Sequence, residues 1–429
     1  MGVNGLEVHS SILENKTVFM LLLIVLTPFS TTLIQARSDT FTVQWNKTYG
    51  PYLAYSVIQM IDGGFAIAGQ NASYKPFSPH SPSDWRNYTA LLIKTDGEGN
   101  VLWEKTYEAQ VANSVVQTKD LGYALCVDNS LLKLDAQGNV QWNKTFNALE
   151  QCRAVQASDG GYALIGNTKI AAASSSVNSV LIKTDENGGI VWNTTFSTGL
   201  PFRNDVVAVS LAETRDKGYA IAGSWYGSFW FAKTDANGNV NFNKTYNLIS
   251  SGGGAFTSLS KTTDGGYILS GFDYDPTQQT AYYSAWIVKT DSQGNVEWNY
   301  HFEQPGFGAL FRSIAQTTDG GYIAGGDPAL IGLDSSGKMK WNSTAYDIYS
   351  ISASQDGGFL VAGGLGDLVS PDQEVWVAKF VTESATPPDE KAPLPYESSQ
   401  FPTTWIVIAV IIVATAGIGL LVYLKKYKH

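Results

Sequence analysis

Asp216-Lys217-Gly218-Tyr219-Ala220-Ile221-Ala222-Gly223 is one copy of a signal that decides how the whole chain is read. The same turn recurs as Asp62-Gly63-Gly64-Phe65, Asp120-Leu121-Gly122-Tyr123, Asp159-Gly160-Gly161-Tyr162, Asp264-Gly265-Gly266-Tyr267, Asp319-Gly320-Gly321-Tyr322 and Asp356-Gly357-Gly358-Phe359. An aspartate, a glycine and an aromatic at fixed offsets mark a tight hairpin, read here as a type I turn followed by a left-handed residue. Leu121 and Lys217 stand at the second position, so the left-handed role is assigned to the invariant third glycine.

Strands flank each turn. Ser114-Val115-Val116-Gln117 shows the segment before it, and Tyr219 to Gly223 the small-residue strand after it. A third strand follows after a variable loop, as in Leu92-Ile93-Lys94-Thr95, ending in an Asp-x-x-Gly turn that begins at Asp96. That turn recurs at Asp135, Asp185, Asp235, Asp291 and Asp334. A fourth strand closes each unit with an aromatic: Trp103, Trp142, Trp192, Phe242, Trp298 and Trp341. Four short antiparallel strands repeated at a spacing of about fifty residues describe the blades of a β-propeller. The seventh unit stops after Val375 to Phe380, and its missing fourth strand stands at the other end, Thr42 to Tyr49. The expected fold is therefore an all-β, seven-bladed propeller over residues 40–381, closed by its N-terminal strand.

The Asp-x-x-Gly-x-x-x-Trp pattern resembles the tryptophan-docking repeat of quinoprotein-type propellers, one residue shorter between Asp and Gly. Taken whole, the repeat is similar to tandem propeller repeats of archaeal and bacterial surface proteins, over nearly all of Phe41 to Phe380. The resemblance speaks for the fold and carries no activity, because propellers host many functions.

The two ends read differently from the body. Residues 1–36 have the layout of a secretory signal, with the apolar run Val18 to Leu26 behind Lys16. The basic region is a single lysine, so an uncleaved anchor also fits. Residues 382–402 carry five prolines and many polar groups, too little apolar surface to fold, and are read as a stalk. Residues 403–424, uncharged from Trp405 to Leu424, are long enough to span a bilayer as a helix. Lys425, Lys426 and Lys428 in the tail at 425–429 then place the C-terminus in the cytoplasm and the propeller outside.

Composition excludes some partners. A formal charge of −10 with scattered basic residues lacks the positive field that a phosphate backbone needs, so no nucleic acid is expected. Cys126 and Cys152 fall in neighbouring repeats, where a disulfide and a pair of buried thiols both fit.

Repetition within one chain separates structural from functional residues. What every blade carries serves folding; what one blade carries serves a ligand. By that test the turn aspartates accept backbone N–H bonds. They lack the alternating ligands and terminal Glu of a calcium loop, so no metal is expected. The recurrent lysines, Lys94, Lys133, Lys183, Lys233, Lys289 and Lys379, are expected to pack their stems between blades, and the tryptophans to fill the gaps between blades. Asn46, Asn143, Asn193, Asn243 and Asn342 each open a glycosylation sequon on a fourth strand, and Asn71 and Asn87 add two more. On the outermost strand glycans would project from the rim.

Asymmetry concentrates in loops that emerge on one face. Tyr74 and Trp85 lie in the insertion Gln70 to Asn87, Trp225 and Tyr226 in Ser224 to Ser228, Tyr274 and Tyr282 in Phe272 to Tyr283, and Phe307 and Phe311 in Gly306 to Arg312. Aromatics on variable loops of a rigid scaffold are material for recognition. Catalytic material is scarce. The body holds only His80 and His301, and no P-loop, His-Glu-x-x-His or Cys-x-x-Cys. No cofactor is implied, since the adjacent cysteine pair often found beside a quinone cofactor is missing. Glu213, Asp128 and Asp327 break the repeat and are the carboxylates that a glycosidase or lyase would use. The expected function is a cell-surface binding, adhesion or scaffold module for a glycan or envelope protein, tied to the membrane through the C-terminal helix. An extracytoplasmic enzyme, quinone-dependent or carboxylate-based, is the alternative.

Overall fold

A computed structural model describes residues 41–50, 52–73, 87–168, 177–197, 205–248, 252–275, 282–303, 308–345, 347–365 and 374–382. The expected signal, most of the stalk, the membrane helix and the basic tail lie outside the described residues. So do Tyr74, Trp85, His80 and Phe307, and the side chains of Asn87 and Tyr282. Among the described residues no helix is long and apolar enough to cross a membrane.

Seven four-stranded antiparallel sheets stand side by side. In chain order they span residues 52–107, 112–145, 149–196, 206–246, 253–302, 310–344 and 348–382, and are called blades 1 to 7. Blade 7 takes its outermost strand, Phe41–Tyr49, from the beginning of the body, paired antiparallel with Glu374–Thr382. Val43 lies opposite Phe380 and Thr48 opposite Trp376. The ring is thus a seven-bladed propeller locked by its first strand, which pairs the strand Glu374–Thr382 that would otherwise end the last blade one strand short. The first strand of each blade packs against the first strands of its neighbours and lines the centre.

The hydrophobic core is divided into seven clusters, each shared by two adjacent blades. A sheet that is apolar on both faces buries them only by stacking, so each blade is stabilised by its neighbours. The outermost-strand tryptophan of one blade docks on the hairpin aromatic of the next: Trp103 on Tyr123 at 5.7 Å, Trp142 on Tyr162 at 5.8 Å, Trp192 on Tyr219 at 5.8 Å and Trp298 on Tyr322 at 5.5 Å. These are edge-on contacts, the geometry that aromatic quadrupoles favour. Trp45, on the closing strand, does the same for blade 1, lying 5.4 Å from Phe65 and donating to the Gly97 carbonyl at 3.0 Å.

The hairpin reading needs one correction. The left-handed residue is the second of the four, not the invariant glycine: φ is +64° at Leu121, +63° at Lys217 and +84° at Gly320. Gly320 donates its N–H to the Thr317 carbonyl and Thr317 pairs back with Gly321, so the turn comes one residue earlier than expected. The third glycine is required by packing. A Cβ on Gly321 would lie 2.6 Å from the Leu333 carbonyl oxygen, and at the six equivalent glycines the intrusion on the next strand's carbonyl is deeper. An exposed turn accepts a side chain at modest backbone cost, whereas a strand pressed against a neighbouring carbonyl does not.

The recurrent lysines also do more than pack. Each reaches the aspartate of its own hairpin: Lys133 to Asp120 at 2.7 Å, Lys183 to Asp159 at 2.9 Å, Lys233 to Asp216 at 2.6 Å, Lys289 to Asp264 at 2.8 Å and Lys379 to Asp356 at 2.7 Å, with Lys94 paired to Asp62. Lys133, Lys183, Lys289 and Lys379 are buried. Blade 6 has Gly332 at this place because the Trp341 ring occupies the space, and Lys340 reaches Asp319 instead, at 3.2 Å. The turn aspartate therefore serves twice, accepting the N–H of the third glycine and neutralising a buried ammonium that would be costly alone.

Candidate functional site

The innermost strands of blades 1, 2, 4, 5, 6 and 7 each carry a bulge at one level, leaving one extra residue in the strand. A bulge re-aims the extra side chain. The residues so placed are Tyr55, Asn113, Val209, Thr257, Arg312 and Tyr349, a set with no repeat pattern. On adjacent blades, three of them assemble. Tyr55 and Tyr349 meet edge-on at 5.9 Å, and the Arg312 guanidinium lies 4.9 Å from the Tyr349 ring.

Two carboxylates complete the group. Asp347, just before the first strand of blade 7, lies 3.7 Å from Arg312 in an ion pair whose side chains are 29% and 24% exposed. Asp327 ends the second strand of blade 6, ahead of a cis peptide to Pro328. Both positions belong to the face where the longer loops emerge. Burial raises the Asp327 pKa, the neighbouring Asp347 charge raises it further, and Arg312 only partly offsets them. Burial also pushes the Tyr55 hydroxyl up to about 12, with Tyr349 and Tyr88 contributing. The buried Arg312 Nη1 has no hydrogen-bond partner among the described residues. Aromatic faces, an arginine with unused donor capacity and two carboxylate acceptors therefore converge at one place near the ring centre.

The three carboxylates singled out by sequence are not brought together. Glu213 accepts the Ser158 N–H of the preceding blade at 2.8 Å. Gln117, Gln156, Gln316 and Gln59 make the same bond at equivalent positions, so Glu213 performs a scaffold task at the tight-hairpin end. Asp128 braces a loop by accepting from Gln110 and Val111 at 3.0 and 3.2 Å. Only Asp327 joins the Arg312 group.

The aromatic candidates divide likewise. Phe311 is buried in the core between blades 5 and 6 and presents nothing to a ligand. Trp225 packs 5.7 Å from Trp230 and flanks a core cluster. Tyr226 is 65% exposed at the tip of a two-residue hairpin with Gly227, both in left-handed backbone. Tyr274 sits on a strand rather than in a loop, 37% exposed and 5.6 Å from Tyr283. Neither belongs to the Arg312 group. Arg312, Asp347, Tyr349 and Tyr55 were missed by the sequence reading. Comparing the residue before each innermost-strand serine across the repeats would have found Tyr55, Arg312 and Tyr349, though not Asp347.

Among the sequon asparagines, Asn143, Asn193 and Asn243 are exposed on outermost strands, while Asn46, Asn71 and Asn342 are partly buried. The Asn243 side chain accepts from the Trp230 indole at 2.5 Å. A disulfide joins Cys126 of blade 2 to Cys152 of blade 3, with Cα atoms 5.6 Å apart. No group of His, Cys, Asp and Glu able to hold a metal occurs among the described residues.

A family model described as outer membrane protein assembly factor BamB matches residues 85–253, from the third strand of blade 1 to the edge of blade 5. No curated protein sequence matches the chain. Among solved structures, the chain is similar to the WD40 β-propeller domain of Doa1 (14% identity, TM-score 0.52, covering 79% of this chain and 96% of that one). It is also similar to the WD40 domain of Neurospora crassa Pan2 (11% identity, TM-score 0.52, covering 80% and 96%). At such identities the likeness is one of fold alone.

Proposed function

We propose that this propeller is a binding module that takes a glycan on its loop face, at the Tyr55, Arg312, Tyr349, Asp347 and Asp327 group, and that the C-terminal segment holds it at the outer side of a membrane. The observation that carries the reading is the meeting of two tyrosines and an arginine on adjacent blades at otherwise equivalent strand positions. Folding does not require it, since other blades place Asn113, Val209 or Thr257 there. Sugar rings offer apolar faces for aromatic contact and hydroxyls for Asp and Arg, and this group supplies both. Glycans on the exposed outermost-strand asparagines would shield the rim and leave the loop face free.

The test is a glycan array probed with the full chain. Tyr349→Ala and Arg312→Ala should weaken the captured glycans by about tenfold or more, the scale of an interface hot spot. Tyr226→Ala, at a separate hairpin tip, should change little. Absence of any captured glycan, or retention of binding by both site variants, refutes the proposal; capture of an envelope protein at the same residues would replace the ligand class.

One observation favours a second reading. Burial and the neighbouring Asp347 charge raise the Asp327 pKa, so a carboxyl shifted toward its protonated form stands near a second carboxylate, the kind of pair that carboxylate-based glycoside cleavage uses. Release of reducing sugar from bound glycans, lost in Asp327→Asn, would establish hydrolysis; binding without release would leave recognition alone.

A further inference from the structure

Six of the seven innermost strands share one hydrogen bond to the next blade. The hydroxyl of Ser56 accepts the N–H of Val115 at 3.4 Å, Ser114 that of Ala154 at 3.1 Å and Ser210 that of Leu259 at 3.1 Å. Ser258 accepts from Ile314 at 3.4 Å, Ser313 from Ile351 at 2.9 Å and Ser350 from Val57 at 3.1 Å. These N–H groups lie on the free edge of each innermost strand, which faces the channel. The serines therefore form a ring on the channel wall, one level below the bulge residues.

Blade 3 breaks the ring. Arg153 stands at the serine position, and no side chain among the described residues accepts from the corresponding N–H, that of Leu211. The guanidinium of Arg153 makes no hydrogen bond or ion pair among the described residues. Arg153 is exposed to solvent. At the serine level of an innermost strand, that exposure faces the channel. Its charge is uncompensated there, in a protein that is acidic overall.

We infer that Arg153, the Leu211 N–H and the hydroxyls of the flanking Ser114 and Ser210 form a binding site for a small oxyanion (a phosphate, sulfate or carboxylate) inside the central channel. The guanidinium presents parallel N–H donors that match two oxygens of such an anion. A serine hydroxyl that accepts a backbone N–H still has its own proton to donate. The site is separate from the tyrosine and arginine group on blades 6, 7 and 1 and takes a different ligand.

Titration calorimetry and thermal unfolding of the full chain with inorganic phosphate, sulfate and acetate test this, with ionic strength held constant by chloride. Saturable binding of at least one anion is expected, with a melting temperature that rises with its concentration. Arg153→Ser recreates the serine present in six blades, and with it an acceptor for Leu211, so it should fold and lose the response. Arg153→Gln removes the charge while keeping much of the length and should lose it too. Arg153→Lys keeps the charge without the fork and should weaken binding about tenfold. Response to phosphate and sulfate but not acetate would identify a tetrahedral anion. No saturation by any of the three up to about 10 mM, weaker than the millimolar range of a minimal specific contact, overturns the inference. So does equal binding by a folded Arg153→Ser chain.

Discussion

Replacing Gly321 by alanine should damage this protein more than replacing Gly320, although only Gly320 has a backbone that favours glycine. At Gly320, φ is +84° and an added Cβ meets nothing closer than 3.9 Å, the Ser335 Cβ. The cost there is the left-handed backbone alone, about 1 kcal/mol, partly offset by the stiffer unfolded chain. At Gly321 the added Cβ would stand 2.6 Å from the Leu333 carbonyl oxygen, 3.1 Å from the Thr317 hydroxyl and 3.3 Å from the Asp319 carboxylate. Ordinary contact begins near 3.4 Å, so the second and third strands of blade 6 must part by several tenths of an ångström. Overpacking of this kind costs about 1–3 kcal/mol, and loosening one ladder bond adds about 1 kcal/mol. The expected loss is therefore about 2–4 kcal/mol, at the least crowded of the seven equivalent glycines. Urea unfolding of Gly320→Ala and Gly321→Ala reads the comparison directly, provided the slope is unchanged. A larger midpoint loss in Gly320→Ala would refute the account of why this glycine is invariant.

Acid should unfold the ring through its turn aspartates. Burial opposes ionisation of Asp264, but hydrogen bonds from Lys289, Thr262 and Gly266 outweigh it and hold the carboxyl at about 2, below the ordinary 3.8. A lowered pKa means the folded state binds fewer protons, so this stability is complete above about pH 4 and disappears as pH falls from 3.8 toward 2. Asp62, Asp120, Asp159, Asp216, Asp319 and Asp356 shift the same way. Asp264→Asn should lower the urea midpoint at pH 6 and flatten its fall below pH 4; an unaltered pH profile counts against the pairing. Reducing the disulfide, which links residues separated by 26 in sequence, should cost about 3–4 kcal/mol in the chain-entropy account, measured as a lower midpoint in Cys126→Ser/Cys152→Ser. Deleting residues 41–49 should bare the edge strand Glu374–Thr382 and drive self-association in sedimentation; a monomer of unchanged stability would contradict the closure.

Repetition made the fold legible. Strand type, blade count and the closing role of Thr42 to Tyr49 all follow from local patterns copied seven times, and each copy tests the others. The hydrogen-bonding duty of Asp62 and Asp96 was equally readable, because it is spent within a few residues of chain. What the pattern could not separate was the reason for an invariant residue. Gly321 and its counterparts are demanded by a carbonyl on the next strand; nor could the pattern show that Glu213, a departure from the repeat, only takes over the bond that glutamines make to the preceding blade. The binding group lay further out of reach. Arg312, Tyr349 and Tyr55 are brought together only when the ring sets blade 7 between blades 6 and 1, with Tyr55 nearly three hundred positions from Tyr349 in the chain. Sequence determines what a hydrogen bond or a packing pair can settle between near neighbours along the chain. Ring closure decides which solitary side chains face one another, because that depends on where distant blades come to rest.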